Sequence, residues 1–425
     1  MQAGTARVTI TPPVGTELSG YLARMQPSIG VHDELYAYAL HLESGGEKLL
    51  WLHADLVGYE PGFAARVRAE LAQRFGLAQR QVVLSATHTH AGPATIPLRR
   101  CGQMDLGYME ILERHLLGAA AVACGSTEHV TLRFAEGSAQ VSRDRRRASP
   151  HSHTDPRLPV MALQRQDGTF AAVVANYAVH NVALSSNNRL ISGDMAGVAA
   201  DFARRNLPGE PAVLFTNGGC GNVNPLCQSD GFEYVEQYGT ALGAATVQAA
   251  RMAEPCDGET LTTVERSLTL ALDVLSVETV QAQAERLLAG VAAMPPGYIK
   301  IRYGEAMTEW RDATLAALRN GTAPATHDTT LQVVRIGPVS WVCVPAEVFS
   351  RLADELRAAH TPKTYVVGYA NGDMGYLPHR DAYAEGGYEV ADAFKFYGTF
   401  MVAAGGYEQL RDEAIQMLTG IGAES

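Results

Sequence analysis

Hydrophobic and polar positions follow two periods along the chain. Alternating or β-branched runs at 7–11 (RVTIT), 47–54 (EKLLWLHA), 80–86 (RQVVLSA), 129–134 (HVTLRF), 158–164 (LPVMALQ), 171–177 (AAVVANY) and 212–216 (AVLFT) predict buried or half-buried strands. Between them a helical period predicts helices over 61–75, 107–124, 195–206 and 233–252. Strands alternating with helices predict an α/β chain in which helices cover mixed β-sheets. The segment 276–320 reads as two amphipathic helices joined near Pro295-Pro296-Gly297, a helical hairpin inserted between strands. A strand pair follows, TTLQVVRIG turning through Gly337-Pro338 into VSWVCVPA, and then a helix from Val348 to about His360. The segment 365–390 is rich in Gly, Tyr and Asn and has no period, and ordered loops of that kind usually carry function.

With no internal repeat or low-complexity tract, one catalytic domain over 1–425 is expected. Hydrophobic residues at 47% against 19% charged exclude long disordered tails. The balance of 34 Lys+Arg against 45 Asp+Glu gives a net charge of −11, and the longest basic run is Arg145-Arg146-Arg147. Nucleic acid is therefore not an expected partner. Six cysteines without a CxxC pair fit a reducing compartment better than a disulfide framework. The N-terminus has no basic-then-apolar leader, and the most apolar helical candidate, HLLGAAAVAC at 115–124, is too short to span a membrane. A cytoplasmic protein without stable membrane association is expected, and its oligomeric state has no sequence signature.

Chemistry concentrates where predicted strands end. Ser85-Ala86-Thr87-His88-Thr89-His90-Ala91-Gly92-Pro93 runs a strand into an HxH. Alternation along a strand would put both imidazoles on one side, one to bind a metal and the other near its water. Two partly exposed strand-end histidines are the plain alternative. His180 ends another predicted strand, as a ligand or a satisfied core histidine. Asp194 either caps the helix after it or orients a metal-bound histidine. In Asn217-Gly218-Gly219-Cys220-Gly221-Asn222-Val223-Asn224-Pro225 the glycines allow close approach of a ligand or a neighbouring strand. Cys220, with no base beside it, reads as an inert buried thiol. Glu347, after the apolar run VSWVCV, needs a metal or an arginine if buried, or else sits in the first turn of the next helix.

Taken in order, Ile10-Thr11-Pro12-Pro13-Val14-Gly15 with Ser19-Gly20-Tyr21, ATHTHAGP at 86–93, His180 with Asp194, GNVNP at 221–225, PAE at 345–347 and the Tyr-rich loop at 369–389 resemble the neutral, non-lysosomal ceramidase family. The likeness covers nearly the whole chain as that family's N-terminal catalytic domain. It implies a zinc-dependent amide hydrolase. It implies zinc ligands at His88, His180, Glu347 and Tyr376, a catalytic histidine at His90, and a transition-state tyrosine at Tyr388, twelve residues after Tyr376. A family arginine near 140 matches either Arg143 or Arg145.

Two departures change the expected chemistry. The family's nucleophile or water-positioning serine corresponds to Asn224, which cannot be activated as a hydroxyl, so attack by metal-bound water is expected, with Asn224 a hydrogen-bonding group. The family's C-terminal immunoglobulin-like domain and secretion signal have no counterpart here, which favours a small soluble N-acyl substrate over a long-chain sphingolipid. A metal-dependent esterase or other carbonyl-directed enzyme, or a metal-binding scaffold whose catalysis has decayed, fits the same residues.

Overall fold

The computed structural model describes residues 1–398 and 400–423. Its α/β framework consists of three mixed sheets. In the first, Val82–Ala86, Glu47–Ala54, Tyr36–Ser44, Gln2–Thr9 and Glu128–His129 lie side by side in that order. The second runs Ala212–Asn217, Phe170–Tyr177, Arg157–Gln164, Thr131–Ser138 and Glu254–Pro255. The third runs Leu261–Ala271, Thr326–Ile336, Val339–Cys343 and Thr364–Val367. One apolar cluster takes residues from all three sheets, including Leu40, Trp51, Leu163, Val174, Leu214 and Trp341. Each sheet turns its other face to helices: Pro61–Phe75 and Leu106–Gly125 on the first, Asp194–Asn206 and Glu233–Met252 on the second, Arg351–Ala359 and Gly406–Ala423 on the third.

The helices at 61–75 and 233–252 run as the sequence pattern predicts, and the hairpin forms from Val277–Ala293 and Tyr298–Arg319. The first strand starts five residues before its predicted position, at Gln2 rather than residue 7. Its small residues explain both the placement and the weak pattern: a Cβ at Gly4 would collide with the carbonyl oxygen of Ala123 in the covering helix. The helix predicted from Val348 begins at Arg351, because Glu347–Val348 instead pairs in parallel with Tyr376–Leu377. Strands Tyr36–Ser44 and Leu261–Ala271 and the helix Gly406–Ala423 lie outside the predicted set. The second of these strands carries Thr262, Glu265, Arg266 and Ser267, which blur its apolar pattern at a sheet edge.

Each sheet contains one parallel pair with a helix in its crossover: 50–54 with 82–86, 172–177 with 212–217, and 340–343 with 364–367. In such units ligands gather beyond the carboxyl ends of the strands. The three sets of strand ends meet at one place. Trp341, fully buried, stands edge-on to Trp51 with ring centroids 5.9 Å apart and so joins the third sheet to the first. Trp341→Ala is expected to lower unfolding stability by about 3–5 kcal/mol, read as a lower denaturant midpoint at unchanged slope.

Candidate metal centre

Every member of the central group leaves the carboxyl end of a parallel strand. His88 lies two residues beyond Ala86, His180 three beyond Tyr177, and Glu347 four beyond Cys343. The HxH does not keep strand alternation. His88 sits in the left-handed region at φ +61°, so the chain has already turned, and this turn rather than the pleat brings the two rings together at 4.8 Å between centroids.

Backbone carbonyls fix the tautomers. His88 Nδ1 lies 2.6 Å from the carbonyl oxygen of Val57, and His180 Nδ1 lies 2.7 Å from that of Cys220. A carbonyl only accepts, so each Nδ1 carries the proton, and each Nε2 of the neutral ring is a bare lone pair. Both Nε2 atoms face Glu347 Oε2, at 3.6 Å from His88 and 3.0 Å from His180. Burial lowers the His88 pKa to about 3. Burial works against the Glu347 carboxylate, and the hydrogen bond it accepts from the Tyr397 hydroxyl favours it. Two neutral imidazoles and a carboxylate, all buried and with ligand atoms within 4.8 Å of one another, could hold a metal ion, and a donor set of two nitrogens and one oxygen suits zinc. The Tyr376 hydroxyl is 3.4 Å from His180 Nε2, with its ring stacked on that imidazole.

The wider group supports this cluster. Tyr397 donates from its hydroxyl to Glu347 Oε1, leaving Oε2 for the imidazoles. Tyr369 stacks on His88 at 3.9 Å between centroids, and its hydroxyl is 3.2 Å from Cys220 Sγ. His90 Nε2 is 3.2 Å from His88 Nε2, while His90 Nδ1 is buried without a hydrogen-bond partner among the described residues. Burial holds His90 well below the ordinary histidine range, with His88 adding to the effect. The His90 carbonyl accepts from Arg24 Nη1 at 2.6 Å, and a Cβ at Gly20, where φ is +90°, would run into the His90 ring. Arg145 stands over the rings of Tyr376 and Tyr388, 5.1 and 5.8 Å from their centroids. Burial disfavours its charge, yet Tyr376 and Glu389 raise its pKa further. Glu389 accepts from Arg145 Nε at 2.6 Å and from Arg146 Nη1 at 2.9 Å.

A cavity of about 420 Å³ opens onto the group, with His88, His90, Glu347, Tyr376, Tyr388 and Tyr397 in its wall. Of the residues singled out in the sequence, His88, His90, His180, Glu347, Tyr376, Tyr388 and Arg145 come together. Arg143 and Asn224 face each other in the short pairing of Ser142–Asp144 with Val223–Pro225 and do not line this cavity. Asn224 Oδ1 is buried without a hydrogen-bond partner among the described residues. Asp194 accepts the amides of Ala183, Leu184 and Met195, fastening the loop after His180 rather than orienting its ring. The glycine-rich turn makes room for protein rather than ligand: a Cβ at Gly221 would strike the Glu347 carbonyl oxygen, and one at Gly219 would come within 3.0 Å of that of Phe349. Sequence reasoning missed Tyr397, Tyr369, Glu389 and Arg24, and only Gly20 next to a predicted motif hinted at the crowding around His90.

Gly221→Ala is expected to displace Glu347 and weaken affinity for a divalent metal ion about 10–100-fold, measured by metal titration on protein whose far-ultraviolet dichroism is unchanged. Burial pushes the Cys220, Cys101 and Cys343 thiols up to about 12. A thiol reagent at pH 8 should therefore modify exposed Cys227 quickly and these three only on unfolding. Rapid loss of Cys220 would contradict its inert role.

The family model described as neutral/alkaline non-lysosomal ceramidase, N-terminal, matches residues 1–109. Neutral ceramidase of Pseudomonas aeruginosa is 23% identical over 231 residues, 49% of this chain and 34% of that protein. Neutral ceramidase of Drosophila melanogaster is 24% identical over 254 residues, 53% of this chain and 36% of that protein. That of Mycobacterium tuberculosis is 24% identical over 455 aligned residues, 87% of this chain and 70% of that protein. The chain thus matches about a third of the length of the first two. The crystal structure of the Pseudomonas aeruginosa enzyme superposes with a TM-score of 0.76 at 19% identity, over 99% of this chain and 74% of that one. A ceramidase complexed with C2 gives 0.77 at 19% identity, over 100% and 75%. These superpositions establish a shared α/β fold, and over residues 1–109 the chain is similar to the N-terminal part of the neutral/alkaline non-lysosomal ceramidases.

Proposed function

We propose that this chain is a zinc-dependent hydrolase that cleaves the amide bond of a small soluble N-acyl compound. The observation that carries the proposal is the pair of bare imidazole nitrogens facing the buried carboxylate of Glu347, a set that a divalent cation would satisfy. His88, His180, Glu347 and Tyr376 would hold the ion. When bound, zinc supplies a Lewis acid that polarises the amide carbonyl and lowers the pKa of a water towards neutrality.

The chain's own groups divide the remaining work. Amide hydrolysis takes a proton from water and delivers one to the leaving nitrogen. His90, neutral through burial and 3.2 Å from His88 Nε2, is placed to carry that proton. Tyr388, in the cavity wall beside Tyr376, can donate to the oxygen of the attacked carbonyl as it gains charge, and Arg145 over the rings of both tyrosines adds positive charge there. Glu389 anchors Arg145 there through its Nε hydrogen bond. Water is favoured over a protein nucleophile because the Cys101 thiol on the wall is pushed up to about 12 by burial, and position 224 has no hydroxyl.

Purified protein is expected to contain zinc, lost in His88→Ala and Glu347→Ala. His90→Ala should keep the metal and lose amide hydrolysis about 100-fold or more across a panel of N-acyl compounds. Unchanged metal in both ligand variants would remove the basis of the proposal. Turnover of matched esters but no amides would favour an esterase, and bound metal without turnover would favour a scaffold.

A further inference from the structure

The cavity wall has two chemistries. Beside the polar cluster, its apolar part includes Leu22, Leu98, Cys101, Tyr303 and Phe396. Tyr303 reaches the wall from the second helix of the hairpin, Tyr298–Arg319. That helix packs through Ala306 and Met307, both buried, onto Cys101 and Phe396, with Leu22, Leu98 and Tyr303 around them. The Tyr303 and Phe396 rings are 6.2 Å apart.

The helix is fastened where Tyr303 leaves it. Arg302 donates from Nη1 to the carbonyl oxygens of Arg24 at 2.8 Å and Arg100 at 3.2 Å. Arg100 in turn pairs with Glu305 and Glu309 of the same helix. Moving Tyr303 out of the wall would break these contacts and expose Ala306 and Met307. The cavity volume, about 420 Å³, is in the lower part of the range of about 300–1,000 Å³ for small-molecule sites.

We propose that Tyr303 is a specificity-determining residue that limits the length of the acyl chain the site accepts. With the carbonyl at the metal cluster, an unbranched chain lies along Leu22, Leu98 and Phe396 and stops against the Tyr303 ring. The inference rests on the amide-hydrolase reading for the identity of the substrate, but the wall itself can be probed without turnover.

The probe is a homologous series of n-alkyl hydroxamates from acetohydroxamate to laurohydroxamate, titrated calorimetrically into zinc-loaded protein. In the wild type, affinity should rise about fourfold per methylene until the chain meets Tyr303, then level or fall. In Tyr303→Ala the rise should continue to longer homologues, in Tyr303→Trp it should stop at shorter ones, and Tyr303→Phe should follow the wild type. Acetohydroxamate, whose acyl chain is a single methyl group, should bind all four alike, which verifies that each is folded with its metal site intact. A break at the same length in wild type, Tyr303→Ala and Tyr303→Trp, or no dependence on length in any of them, would overturn the proposal. The matching N-acyl p-nitroanilides separate the two readings. A shifted hydroxamate break without anilide hydrolysis leaves the chain-length role standing and removes the hydrolase reading, whereas hydrolysis with an unmoved break does the reverse.

Discussion

Two backbone carbonyls determine what the centre of this molecule can be. By accepting the Nδ1 protons of His88 and His180, the carbonyls of Val57 and Cys220 leave each ring with a lone pair turned towards the same carboxylate oxygen of Glu347. Lone pairs facing an ionised oxygen out of contact with water are unfavourable unless a cation or a proton lies among them. Burial lowers the His88 pKa to about 3, so at neutral pH protonation is a poor solution and a metal ion a good one. Tyr397 on the second carboxylate oxygen and Tyr369 stacked on His88 hold the arrangement in place.

The architecture supplies those carbonyls in a regular way. In the first sheet the extension of one parallel strand, at Val57, holds the histidine that follows its neighbour. In the second the extension at Cys220 does the same for His180. The third unit contributes Glu347 and Tyr376 side by side, in a short parallel pairing of their own. Three strand–helix–strand units thus deliver donors and supports to one point, and the shared apolar cluster between the sheets keeps their ends in register. The glycines at 219 and 221 let the second and third units approach closely enough for this.

Much of this was legible from the sequence because it is encoded by local pattern. Strand and helix periods locate the ends where chemistry begins, and HTH, GNVNP and PAE mark three of the turns. What was not legible depends on distance. Tyr397 reaches Glu347 across fifty residues, and Glu389 reaches Arg145 across more than two hundred, with no spacing rule linking either pair. Even a correct expectation rested on a different cause: His88 and His90 meet through a positive φ at His88, not through strand alternation. Arg143 and Asn224, single positions carried over from family motifs, fall opposite each other in the short pairing of Ser142–Asp144 with Val223–Pro225, a neighbourhood that no motif spacing encodes.

Anomalous diffraction at the zinc edge from crystals of the zinc-loaded protein tests the centre most directly. A single strong peak bonded to His88 Nε2, His180 Nε2 and Glu347 Oε2 is the predicted result. An empty position between these atoms, with zinc bound elsewhere or not at all, would contradict the account.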